Sequence, residues 1–407
     1  MNLLDLISFP VPGTYEIVEE YEYNEGGGIA KSDPVRVVIQ PSNPRNFKLY
    51  PLYGGRETNF NVLWANPSTT GAQLMMTRLE LVDQPRIGGT VSLDKTDFTL
   101  APCMMVPANG KAAERRWVAW LDKGSLNGFR LTGDAKDGKV IGLVPLPDVP
   151  TTLIAPLLPW VESGGDEGGA AVLYQAAGDG RSIVRMALIG PNGAVQPGPS
   201  LPIQGGAAAW AETITLSTGE RRVYVITRSA PEGKVQLSLQ CVSWAPKAAE
   251  LKQTGQAVIE GQWLASAMVI DRDDTVRGAV LSATQPEMGE TSISLRQWTH
   301  TPAGKIEVSE PIAITVPWGA PIDEARLAIG DNGKTFGICK YGDKPWSAFS
   351  SEAPVPKPVQ PPAGATSGQI EIIMLTTRVP ALMFTAPQTG FQFSAFDGGP
   401  IPEQPHT

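Results

Sequence analysis

The chain has 407 residues, 42% hydrophobic and 18% charged, with 33 Lys plus Arg against 41 Asp plus Glu, a net charge of −8. That is enough apolar material for a large core and too little charge for a disordered tail or a coiled coil, and the acidic balance argues against nucleic-acid partners and a basic membrane surface. Two histidines, His300 and His406, exclude a histidine-rich metal site and would rest any Ser/His/Asp triad on His300 alone.

The N-terminal MNLLDLISFP has no Lys or Arg before Lys31, and Asp5 breaks its short apolar run. It therefore lacks the basic and continuous apolar regions of a signal peptide, and no stretch approaches the roughly 18 apolar residues of a membrane-spanning helix. The expectation is a soluble cytoplasmic protein without membrane insertion. A strand-like TYEIVEEYEY (14–23) lies in an N-terminal extension, residues 1–34, and VRVVIQ (Val35–Gln40) follows it.

From there a five-residue pattern recurs, about four apolar or small residues and then usually a polar or small one. It reads NVLWA from Asn61, VAWLD from Val118, AVLYQ from Ala171, VYVIT from Val223, GAVLS from Gly278, FGICK from Phe336 and ALMFT from Ala381. Four consecutive apolar residues predict a strand covered on both faces. Most copies follow a turn and another apolar strand, as in SAMVI-DRDD-TVRGAVL (266–281) and ARLAI-GDNG-KTFGIC (325–339). Most are followed by a second turn and an alternating strand, such as RSIVRMALI, KVQLSLQCV and FQFSAF, and several by a weaker fourth, such as KVIGLVPLP (139–147) and KIEVSEPIAI (305–314). Alternation marks a half-buried strand.

The repeating unit is an antiparallel four-stranded meander of about 55 residues, the signature of an all-β β-propeller, and seven copies predict seven blades. The seventh copy ends after its third strand at Phe396, before a tail at 397–407. An open sheet edge is a liability, so Val35–Gln40 is expected to complete the last blade and close a single domain spanning 35–396. The stretch 14–23 adds to that blade or packs beside it. An alternative threading gives QIEIIML (369–375), not Trp346–Phe349, as the third strand of the sixth blade, leaving six blades plus extra strands. The Pro-rich PVPKPVQPP (354–362), within a loop at 351–368, is a loop or an extended edge in either threading.

Chemistry-bearing residues are sparse. The inner strands PCMMV (102–106), APLLP (155–159), SAMVI (266–270) and IEIIM (370–374) are nearly neutral, with Glu212, Asp323, Glu324 and Glu371 as rare charges in or near such strands. Those four read as solvated rim or strand-edge groups, and such a channel is a poor acid–base site. Asp271, Asp273 and Asp274 in DRDDTV resemble the start of a calcium loop but lack its glycine and distal glutamate, so a hairpin turn is expected. His300, after Trp298 at the end of an alternating strand, is expected to be an exposed or rim imidazole. Cys103, Cys241 and Cys339 sit in apolar runs and are expected to be buried, unreactive thiols. No P-loop, dinucleotide fingerprint or Gly-x-Ser-x-Gly elbow is present, and the glycine-rich GGDEGG (164–169) lies between strands with no following helix. Neither the Gly-His…Trp-Asp signature of WD40 repeats nor the sialidase Asp-box occurs, so no catalytic residue, cofactor or metal ligand is assigned.

The functional reading is a non-catalytic interaction platform or structural subunit whose partners are other proteins. Trp160, Trp318 and Trp346, each after Pro or Lys–Pro, are the candidate interaction surface. A lectin-like propeller binding a small ligand or glycan through these tryptophans is the alternative, and a carboxylate-based hydrolase or lyase is the third.

Overall fold

The computed structural model describes residues 13–397 apart from segments between strands, the longest of them 52–58, 97–103, 108–114, 143–149, 161–168, 245–250 and 285–290. The described residues form an all-β molecule of antiparallel sheets. None of its helices is long and apolar enough to cross a membrane.

The chain begins with a ribbon. Strand β1 (Gly13–Ile17) pairs with β4 (Val35–Ile39), and β2 (Glu20–Tyr23) pairs with β3 (Gly28–Lys31) inside it. The Ser32 N–H donates to the Glu19 carbonyl at 2.9 Å and the Glu19 N–H to Ser32 Oγ at 3.0 Å, so the two pairs run on as one long hairpin. The four residues NEGG (24–27) between β2 and β3 have the glycine-rich composition favoured where a hairpin reverses. The extension 1–34 thus holds β1, β2 and β3.

Seven larger sheets follow in chain order. The first contains β5 (Arg45–Pro51), β6 (Asn59–Ser68), β7 (Gly71–Leu81) and β8 (Pro85–Thr96), and the second β9 (Met104–Pro107), β10 (Arg115–Asp122), β11 (Ser125–Thr132) and β12 (Ala135–Gly142). In the third, β13 (Pro150–Leu153) and β14 (Leu158–Trp160) both pair with β15 (Gly169–Gly178), followed by β16 (Arg181–Ile189) and β17 (Val195–Pro197). The fourth is β18 (Ala208–Thr215), β19 (Arg221–Ser229), β20 (Gln236–Trp244) and β21 (Lys252–Glu260). The fifth is β22 (Gln262–Ile270), β23 (Val276–Thr284) and β24 (Ser292–His300), with β25 (Ile306–Val308) and β26 (Ile312–Ile314) both on β24. The sixth is β27 (Glu324–Ile329), β28 (Thr335–Lys340), β29 (Ser347–Ser350) and β30 (Lys357–Pro358), and the seventh β31 (Thr366–Met374), β32 (Pro380–Ala386) and β33 (Gly390–Ala395).

The seven apolar pentapeptides fall in β6, β10, β15, β19, β23, β28 and β32, the second strand of each sheet, and the burial of their described side chains has a direct cause. In β19, Val223 and Val225 pack toward sheet three while Tyr224 and Ile226 pack toward sheet five. In β23, Val280 packs against sheet four while Ala279 and Leu281 face sheet six. In β32, Leu382 and Phe384 pack against sheet six, and Ala381 and Met383 join Val62, Trp64 and Leu79 of the first sheet. A strand pressed between two neighbouring sheets needs apolar residues on both faces, which is why these runs do not alternate.

Sheet six takes its third strand from Ser347–Ser350, and QIEIIM supplies the first strand of sheet seven. The Pro-rich segment contributes β30, a two-residue edge strand, the position where a missing N–H costs least. Val35–Ile39 has β1 as its partner, and sheet seven ends at β33, whose outer edge carries no strand among the described residues.

Candidate functional site

The first strands of successive sheets touch in turn, β18 with β22, β22 with β27 and β27 with β31, and they carry the few charges expected near an inner wall. Arg326 of β27 places Nε 3.1 Å from Glu371 Oε1 on β31 and a terminal nitrogen 3.6 Å from Glu324 Oε2. Glu324 and Glu371, expected as solvated or edge carboxylates, are therefore held by one guanidinium that ties sheet six to sheet seven. Sequence reasoning passed over Arg326 because a single Arg in EARLAI breaks no pattern. This trio is a cross-sheet ion-pair cluster. Asp323 accepts the Gly342 N–H.

A buried polar cluster lies between sheets four and five. Tyr224 Oη is 2.9 Å from His300 Nδ1, and the Tyr224 ring leans on Trp298 with centroids 5.2 Å apart. The Arg222 guanidinium donates to Glu220 at 3.0 Å and to the Pro302 carbonyl at 2.7 Å, and Thr254 Oγ1 donates to Cys241 Sγ at 3.3 Å. His300 is 1% exposed, which corrects the expected rim position. The reason is strand phase, since His300 lies two residues after Trp298 on β24 and shares its inward face. Burial pulls the His300 imidazole down to about 4, and the charge of Arg222 acts in the same direction. Burial pushes the Tyr224 phenol up, and also the Cys241 thiol. Near neutral pH the cluster thus holds a neutral imidazole, a phenol and a thiol, sealed from solvent.

The DRDD segment is a hairpin turn. The Asp271 N–H donates to the Thr275 carbonyl at 2.8 Å, and Asp274 adopts a positive φ of 61°. Asp271 pairs with Arg277, Asp273 accepts the Thr275 N–H at 3.1 Å, and Asp274 accepts the Ser217 N–H at 2.9 Å from the matching turn of sheet four. All three carboxylates have protein donors, and no group of three His, Cys, Asp or Glu among the described residues is arranged to hold a metal ion.

The three candidate tryptophans are not brought together. Trp160 ends β14, where it pairs with Gly169 of β15. Trp318 lies outside the described residues, as does Cys103. Trp346 is 1% exposed and packs with Ile338, Val359, Ile370, Leu382 and Phe384 between sheets six and seven, so it is a core wedge and not a surface anchor. Its carbonyl accepts the Val359 N–H at 2.8 Å, which seats the Lys–Pro–Trp segment against the sheet. Cys241 and Cys339 are fully buried, and burial pushes the Cys339 thiol up to about 12.

Of the six exposed large apolar side chains among the described residues, three lie on the N-terminal ribbon, the others being Ile87, Val258 and Val355. Val18 is 42% exposed, Ile29 58% and Val35 60%. The sequence from Gly13 to Ile39 places Glu16, Glu19, Glu20, Glu22, Glu25 and Asp33 beside only Lys31 and Arg36, and Lys31 pairs with Glu20. The available signal was the alternation in TYEIVEEYEY, a glycine turn and a second apolar run at VRVVI, which together spell a hairpin.

No protein-family model matches the chain, and no curated protein matches it. Solved structures resemble it at low identity. A protein of unknown function from Dyadobacter fermentans matches with a TM-score of 0.41 and 9% identity, over 72% of this chain and 93% of that one. BBS1N, solved in complex with ARL6DN, matches with a TM-score of 0.43 and 12% identity, over 88% and 93%. The subtype N10 neuraminidase-like protein of A/little yellow-shouldered bat/Guatemala/060/2010 matches with a TM-score of 0.40 and 10% identity, over 78% and 95%.

Proposed function

We propose that the seven sheets are the blades of a closed β-propeller and that the molecule serves as a non-catalytic protein-interaction platform, a subunit of a larger assembly. The closed arrangement is supported by the packing of the last sheet on the first, where Trp64 and Phe391 meet edge to face with centroids 6.2 Å apart. The interaction role is carried by one observation, the ribbon from Gly13 to Ile39. The ribbon presents Val18, Ile29 and Val35 to solvent. A partner that covers these residues removes apolar area from water and completes the ribbon's packing.

The test replaces Val18–Pro34 by Asn-Gly, which keeps β1 and β4 in register across a two-residue turn. Full-length and shortened proteins are then compared for melting temperature and for proteins co-purifying from native lysate. The expected result is an unchanged melting temperature with loss of a partner captured by the full-length chain. An identical set of captured proteins would reject the ribbon as the docking element.

A further inference from the structure

We infer that the outer edge of β33 is a strand-acceptor site and that its occupant is this chain's own Val35–Ile39, giving a sheet ordered β31-β32-β33-β4-β1. The inference rests on the ring arrangement proposed above, which replacement of Phe391 tests separately. In sheets one, two, four and six a fourth strand lies antiparallel outside the third, and in sheets three and five β17, β25 and β26 occupy that place. Sheet seven alone has nothing there among the described residues. In the other sheets the chain passes from that outer strand to the first strand of the next sheet, and β21 reaches β22 across Gly261 alone. Strand β4 stands in the same relation to β5, separated by residues 40–44, and β5 belongs to the sheet that packs against sheet seven.

Reach and polarity both allow it. Crossing from an outermost to an innermost strand is three strand spacings, about 14 Å. The 40–44 connection spans about 17–20 Å when extended. A strand antiparallel to β33 leaves in the direction that β5 needs, as in the other sheets. One edge of β4 is taken by β1, and the other has no strand partner among the described residues. On β33 itself, Gln392 Oε1 is buried with no hydrogen-bond partner among the described residues. Arg36 of β4 carries donors that would suit it. The short connection favours the chain's own strand over that of a second copy, because it holds β4 near the edge at an effective concentration of order millimolar.

The experiment introduces cysteine pairs, R36C with Q392C and R36C with S394C, and treats each protein with a short bismaleimide. A monomeric species carrying an internal link, found by peptide mass after digestion and absent from the single variants, is the expected result. A linked dimer would overturn the assignment in favour of a second copy, and no link in either pair would overturn it outright. Hydrogen exchange on the unmodified protein decides independently of how the variants fold. If β4 covers the edge, the outward amides of Gly390–Ala395 exchange about 100-fold or more slowly than in an open edge strand. Exchange at open-strand rates would refute the inference.

Discussion

His300 offers a quantitative test of the packing between sheets four and five. In the unfolded chain its imidazole titrates near 6.5, whereas in the folded protein burial and Arg222 hold it at about 4. The folded value is the lower one, so the contribution to stability is complete above about pH 6.5 and is lost as pH falls toward 4. The full difference of about 2.5 pH units corresponds to about 3 kcal/mol, of which about 2 kcal/mol has gone by pH 5. Tyr224 and Cys241 do not compete in this window, because burial moves both upward. The assay is urea unfolding at pH 7.5 and pH 5.0 for the native sequence and for His300→Gln, which keeps a polar group near Tyr224 but cannot titrate. Carboxylates elsewhere contribute alike to both proteins and cancel in the comparison. The native sequence should lose about 2 kcal/mol more than the variant over this interval. Parallel losses, within about 0.5 kcal/mol, would refute the claim that His300 is sealed and neutral.

Three further outcomes follow from the packing. Phe391→Ala removes a 4%-exposed ring from the seam between the first and last sheets. It should cost about 3–5 kcal/mol, which for a cooperative unit of this length lowers the melting temperature by about 4–6 °C; a shift under about 1 °C would reject the closed ring. Gly278→Ala would set a Cβ 1.9 Å from Trp298 Cε2, an overlap that no small shift relieves. Loss of about 1–3 kcal/mol or more is expected, with a red-shifted tryptophan emission, and native-like melting would contradict the close seat of the indole over Gly278. Cys241 and Cys339 should resist a thiol reagent until denaturant is added, and stoichiometric labelling of the native protein at either would contradict their burial.

The sheets were legible because second strands such as β19, β23 and β32 are pressed between two neighbours, and a run of four apolar residues is a local signal of that long-range fact. VYVIT and ALMFT announce it without reference to what covers them. The ribbon was only half legible. TYEIVEEYEY and VRVVI read as strands, but strand pairing depends on which edges meet, and composition does not encode that. Polar groups were harder still. His300 lies beside Thr299 in sequence, and only the phase of β24 separates a buried imidazole from an exposed one. The Lys–Pro before Trp346 has loop composition, yet the indole fills a wedge whose other walls, Ile370 and Phe384, lie far along the chain. Arg326 and Glu371 are 45 residues apart, so their pairing left no trace in either segment.

The poor identity between repeats has a physical explanation in the cross-strand pairs. Gly278 faces Trp298, and Gly337 faces Phe349, each a second-strand glycine beneath a third-strand aromatic. A Cβ on either glycine would meet the ring at about 2 Å, so the ring lies over the backbone itself. Sheet four reverses the bulk, with Tyr224 on the second strand facing Cys241 on the third, and sheet seven sets Met383 against Phe393. The space between neighbouring sheets must be filled at close-packed density, but it accepts any pair whose volumes sum correctly. Matching of summed volume across two strands holds spacing and apolar pattern fixed while leaving the identity at each position free. A chain built this way keeps its architecture readable by period, and its individual residues carry information about the neighbour they fill against.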